Sequence, residues 1–138
     1  MSESELKRQL EYFNHIPTFV AVTDLKGVVT FCNEVPLRPL GLTKKHVLGR
    51  LMYECEWYAY DKTLQASMND MIERAAKGES FVVENDPLIG PRTVPVKCTC
   101  APLFDDKGNV TEIIHTGTPI IKQRAAMQSA KEKAEELI

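Results

Sequence analysis

The sequence predicts an α+β domain: a five-stranded antiparallel sheet with helices on one face, one helix before it and a coiled-coil helix after it. Three observations carry this. β-rich segments flank Asp-Leu-Lys-Gly turn chemistry near the start of the chain and Asp-Asp-Lys-Gly near its end. A single long helical pattern lies between them. The remaining middle, residues 34–60, is broken by Pro36, Pro39, Gly41 and Gly49, so it holds only short helical turns and loops. No long crossover is available apart from that helical middle, which makes an antiparallel sheet the economical arrangement.

In chain order, Leu6, Leu10 and Phe13 fall on one stripe of an amphipathic helix over residues 1–14, closed by Pro17. "TFVAVTD" and "VVTFCN" read as the first hairpin. Its turn needs Asp24 to accept from the turn amides and Gly27 to take a positive φ. Thr43 is an N-cap candidate for a turn through "KKHVLG". The long helix runs from Asp61, its cap, to about Lys77. It buries Leu64, Met68, Met71, Ile72 and Ala75, and Gly78 stops it.

"ESFVVEN" is a strand, a Pro-Gly-Pro loop follows at 87–91, and "TVPVKCTCAPLF" is the next strand. A period of two puts Val94, Val96, Cys98 and Cys100 on one face of it, with Thr93, Lys97 and Thr99 on the other. In the last strand His115 shares a face with Ile113. Beyond Lys122, Met127, Ala130, Ala134 and Leu137 form an a/d seam, and the pattern is unfinished at Ile138. The domain division is therefore 1–14, 15–121 and 122–138.

With 138 residues the chain makes one domain. A formal net charge of −2 and the absence of any basic cluster exclude the electrostatic footprint of a nucleic-acid or anionic-lipid partner. No apolar run approaches a membrane span, and the charged N-terminus is not a secretory signal. Cys32, Cys55, Cys98 and Cys100 then read as reduced thiols of a cytoplasmic protein. Cys98 and Cys100 sit about 7 Å apart along a strand, too far for easy disulfide closure, and read as small apolar wall residues. Cys32, on an adjacent or nearby strand, would be needed to complete a thiolate cluster. No Ser/His/Asp or Cys/His arrangement, glycine-rich phosphate loop or H-E-x-x-H motif is legible, so the chain reads as a non-enzyme.

Several stretches together resemble the PAS domain family. "FVAVTDLKGVVTFCN" resembles its opening hairpin, "PLGLTKKHVLGR" its short helical stretch, and "AAKGESFVVEN" its helix-to-strand junction. "VKCTCAPLFDDKGNVTEIIHTGTPI" resembles its two final strands. The likeness runs from about residue 12 to 121 in the family's order. Trp57, followed by a glutamine-bearing helix, resembles a subtype found in bacterial and archaeal sensors. At the end of the last strand Pro119-Ile120-Ile121 replaces the usual Asp-Ile-Thr.

The resemblance implies a cytoplasmic signal-transduction module upstream of an effector such as a histidine kinase or chemoreceptor. The N-terminal stripe and the C-terminal seam predict a homodimer through the terminal helices, and aromatic residues beside the β-sheet face predict a small ligand or cofactor in the core. The expected ligand-facing residues are Tyr53, Trp57, Met68, Val94, Val96, Cys98, Cys100 and His115. Haem-binding members carry a histidine on or near the long helix, and residues 61–77 have none. Flavin photoreceptors carry a cysteine in an "N-C-R-F-L-Q" stretch, and Cys55 in "LMYECEWYAY" is displaced from it. No cofactor is therefore assigned. His46 is expected solvated, His15 at a helix end in a capping role, and His115 as a satisfied structural histidine. Two alternatives stand beside the sensor: a ligand-free dimerisation module, and a redox sensor through Cys32, Cys98 and Cys100.

Overall fold

The computed structural model describes residues 2–136, with backbone alone over 121–128. The strands are β1 (Phe19–Thr23), β2 (Val29–Cys32), β3 (Phe81–Asn85), β4 (Leu88–Ile89), β5 (Arg92–Thr93), β6 (Val96–Phe104) and β7 (Val110–Pro119). The helices are α1 (Glu3–His15), α2 (Lys44–Val47), α3 (Lys62–Ala75) and α4 (Ile121–Glu136), with single 3₁₀ turns at Arg38–Leu40 and Met52–Glu54. Five strands form one antiparallel sheet in the order β2-β1-β7-β6-β3, and α3 with the short helical turns packs on one face. Among the described residues no helix is long and apolar enough to cross a membrane.

The first hairpin closes as its residues demand. Asp24 Oδ1 accepts from the Lys26 and Val28 amides at 2.9 and 3.0 Å, and Gly27 takes φ +92°. A Cβ at Gly27 would also meet Ile72 Cδ1 at 3.0 Å, so a side chain there would have to displace that buried methyl as well as adopt a strained φ. Asp61 caps α3 through the Thr63 and Leu64 amides, and Met68, Met71, Ile72 and Ala75 are buried beneath it. Asp105 repeats the Asp24 arrangement in the β6–β7 turn.

The hairpin's last residue, Asn33, is the tie between elements. It is fully buried; its Oδ1 accepts from Val20 N at 3.0 Å, and its Nδ2 donates to Phe13 O at 2.8 Å and Thr18 O at 2.9 Å. One side chain thus fastens the end of α1 to β1 and β2. Asn33→Ala leaves one amide and two carbonyls without their partner and is expected to cost about 2 kcal/mol, seen as a drop of several degrees in Tm. An unchanged melting curve would show that these groups find other partners.

The structure departs from the sequence reading in several places. Residues 87–91 are not a plain loop: Leu88–Ile89 and Arg92–Thr93 pair as a small second hairpin. β6 starts at Val96, because Val94 N bonds back to Pro87 O and Pro95 has no amide to give the ladder. Val94 therefore precedes the strand. His46 is exposed but not merely solvated, since its Nδ1 accepts from Thr43 N at 2.9 Å and caps α2. His15 does not cap α1 and instead pairs with Glu11, one turn back, at 3.2 Å. Of the expected C-terminal seam, Ala130 and Ala134 are exposed, while the Met127 side chain and Leu137 lie outside the described residues.

Candidate functional site

Strand pairing sets the wall of the site. Cys100 faces His115 across β6–β7, His115 faces Ala21 across β7–β1, and Ala21 faces Cys32 across β1–β2. One row further along, Val83, Cys98, Gly117 and Phe19 pair in the same way. The middle of both rows is narrow: Ala21, Cys98, Cys100 and Gly117 carry little or no side chain. A Cβ at Gly117 would stand 3.2 Å from the Phe19 ring and 3.8 Å from Cys98 Sγ. These small residues leave a cavity of about 40 Å³ between sheet and helices. Trp57, Tyr58, Met52, Met68 and Met71 close it from the helical side. That volume holds roughly three waters and is well short of a benzene-sized site.

Of the residues expected from the sequence, Trp57, Met68, Val96, Cys98, Cys100 and His115 line this cavity. Tyr53 and Val94 do not. Tyr53 is half-buried against the outside of the core cluster, and Val94 sits in the connection before β6. Ala21 and Gly117 were missed, and Tyr58 was not separated from its neighbours Trp57 and Tyr60. A run of Trp57-Tyr58 gives no hint of which ring turns inward, and the small residues carry no chemical signal at all.

Most polar groups of the wall are already engaged. Trp57 Nε1 donates to Pro36 O at 3.0 Å, Cys98 Sγ donates to Asn85 Oδ1 at 3.2 Å, and the Thr99 and Thr116 hydroxyls bond each other. Two groups are not. The Tyr58 hydroxyl makes no hydrogen bond among the described residues, and burial pushes the phenol above the ordinary range. His115 is 4% exposed; its Nε2 lies 2.9 Å from the buried Thr23 hydroxyl, while its Nδ1 is buried with no partner. The expectation of a satisfied histidine thus holds for one ring nitrogen and fails for the other. Burial pulls the imidazole pKa down to about 4, so the ring is neutral at pH 7.

The cysteines do not assemble. β1 and β7 lie between Cys32 and Cys100, which puts the two about 14 Å apart at ordinary strand spacing. Cys32 therefore cannot complete a thiolate cluster with Cys98 and Cys100, and no metal-binding group of three or more ligands occurs among the described residues. Burial pushes Cys32 up to about 12 and Cys55, Cys98 and Cys100 up to about 11.

The sequence profile of the family described as "PAS fold" matches residues 13–125. The chain belongs to the PAS family. A curated relative, hybrid signal transduction histidine kinase D of Dictyostelium discoideum, is 27% identical over 122 residues. The match covers 86% of this chain but only 8% of that kinase. Among solved structures, the PAS domain of Bordetella pertussis BvgS aligns with a TM-score of 0.69 at 23% identity, over 97% of this chain and 99% of that one. The PAS domain of an HTR-like protein from Haloarcula marismortui aligns with a TM-score of 0.67 at 18% identity, over 86% and 93%. At these identities the likeness speaks for the fold. In this PAS domain α3 and the short helices cover one sheet face, α1 precedes the sheet and α4 follows it.

Proposed function

We propose that this PAS domain is a non-catalytic sensory module of a longer signalling protein. In this reading a small molecule occupies the cavity between sheet and α3, and the occupied state passes through α4 to an effector of the histidine kinase class. Residues 15–121 are the sensing unit, and the flanking helices are its connections. The observation that carries the reading is continuity: β7 supplies His115 and Gly117 to the cavity wall and runs through Pro119 and Ile120 straight into α4. Ile120 is buried, and its amide donates to Pro95 O at 3.1 Å, so the start of α4 is fastened to the sheet that the ligand would touch. Only an occupant with different affinity for two sheet states would drive α4.

Native mass spectrometry of the freshly purified protein, run beside a denatured sample, tests this. A mass excess that disappears on denaturation is the expected result. A clean unliganded dimer favours a second reading, a dimerisation module. Leu6, Tyr12, Phe13 and Ile16 support that one, because they leave an apolar, largely exposed stripe on and just after α1. The cysteine redox reading has less behind it: thiols with pKa values near 11 to 12 hold little thiolate at pH 7, and the thiolate is the reactive form.

A further inference from the structure

We propose that the Tyr58 hydroxyl is the polar anchor of this cavity, and that it selects a small uncharged molecule carrying one hydrogen-bond acceptor. The proposal rests on the reading that the cavity is where the module's ligand sits, and it names the ligand's class.

The hydroxyl meets open space inside the protein. Tyr58 is 5% exposed and lines the cavity, and its hydroxyl has no partner among the described residues. Among those residues, the side-chain polar atoms both unpartnered and sealed from water are Glu56 Oε2 and His115 Nδ1. The Tyr58 hydroxyl is not one of them, so it keeps surface that a water-sized group can touch. That surface belongs to the interior. The phenol is deeply buried, and the groups that act on it electrostatically are led by the Cys98 and Cys100 thiols. Both thiols stand on the sheet wall of the same cavity. The hydroxyl on the helical side and the thiols on the sheet side therefore border one space.

The rest of the wall offers little else that is polar and open. Trp57 Nε1, Cys98 Sγ and His115 Nε2 are already bonded, and His115 Nδ1 is sealed. Thr99 and Thr116 alternate along their strands with Cys98, Cys100, His115 and Gly117, so their side chains turn to the opposite sheet face. There the two hydroxyls bond each other, and these residues border the cavity through backbone held in the sheet. Cys100 adds only a thiol, a weak donor. A water at the Tyr58 hydroxyl would thus have one strong side-chain partner, where buried waters make about three bonds, and is readily displaced. A charged ligand would find no counter-ion, because the phenol stays protonated and no Lys, Arg, Asp or Glu lines the cavity. A phenol donates better than it accepts, since its oxygen shares electron density with the ring. The ligand's polar atom is accordingly an acceptor, and the rest of it meets Met52, Met68, Met71, Val83 and Val96. A cavity of about 40 Å³ holds about three heavy atoms without rearrangement.

Dimethyl ether and propane match in shape and differ at one position, an acceptor oxygen against a methylene. Binding of each, and of formate, is read by ¹³C–¹H NMR of the intact protein, through the Met52, Met68 and Met71 methyls and the Tyr58 ring. The expected result is that ether and propane both shift the methionine methyls, ether alone shifts Tyr58 Cζ, and formate does neither. In Tyr58→Phe, ether should bind at least about fivefold more weakly, because its oxygen is left without a donor, while propane binds as before. The variant should melt no lower than the unaltered protein, since the lost hydroxyl has no protein partner. A drop of several degrees overturns the proposal by giving the hydroxyl a structural role. Binding of formate overturns it as well. An equal response of ether and propane to the substitution, or an unmoved Tyr58 Cζ, overturns the proposal but leaves the cavity as a ligand site. If neither ether nor propane reaches a methionine methyl, the interior is closed core or filled by water alone, and the sensory reading falls with the proposal.

Discussion

Replacing Trp57 with alanine is expected to remove about 4 kcal/mol of stability, in the range of large-to-small aromatic truncations in a core. The size follows from two roles of its side chain. The indole is 4% exposed, packed among Met52, Met68 and Met71 as the helical wall of the cavity. Its Nε1 donates to Pro36 O, pinning the proline-broken segment that follows β2. Its backbone carbonyl, which either substitution keeps, accepts from Leu88 N at 2.8 Å and holds the β4–β5 hairpin. Truncation enlarges an existing void and orphans the Pro36 carbonyl. Trp57→Phe keeps most of the apolar contact but loses the indole donor, and should cost roughly half as much. Urea unfolding of the three proteins distinguishes these terms. A Trp57→Ala loss below about 1 kcal/mol would mean that the helical wall collapses into the cavity, and that the cavity is soft.

Acid should destabilise this domain earlier than its carboxylates require. Burial holds His115 neutral, with its folded pKa near 4 against about 6.5 for an exposed imidazole. A base with a depressed folded pKa binds its proton in the unfolded chain first. Stability from this group is therefore fully present above about pH 6.5 and is lost as pH falls toward 4. The loss from this one residue is about 2 kcal/mol between pH 7 and pH 5. The measurement is unfolding free energy against pH for the native protein and for His115→Gln. The difference between the two curves isolates His115, because His15 and His46 are common to both proteins. Parallel curves across that window would mean that the ring takes up its proton in the fold as readily as in the unfolded chain.

How much of this was legible beforehand depended on whether a residue acts locally. Asp24, Gly27, Asp61 and Asp105 act within four residues of themselves, and their turns and cap could be read directly from the sequence. The period of two in β6 likewise placed Val96, Cys98 and Cys100 on the buried face. Asn33 closed the predicted hairpin, but its partners Phe13, Thr18 and Val20 lie 13 to 20 residues away, so its tie was invisible. The same holds for Thr23 and His115, 92 residues apart and joined only because β1 pairs with β7. Cys32 was misjudged for the converse reason. Sequence gives strand membership but not strand order, and the order sets two strands between it and the other thiols. Val94 was lost to its neighbour: the proline at 95 delays the ladder by two residues, a local effect that the alternating pattern conceals.

The pairing of β1 with β7 has a consequence for architecture. Phe19 lies opposite Gly117, so the chain enters and leaves the sheet at neighbouring points, about 5 Å apart. α1 ends at His15, a few residues before that crossing, and α4 begins at Ile121, a few residues after it. The whole sheet with its cover of helices is thus an outgrowth at one spot on the polypeptide's route. A unit attached in this way can be added, removed or repeated along a long protein without displacing what lies on either side. Between its two ends it contributes almost no length.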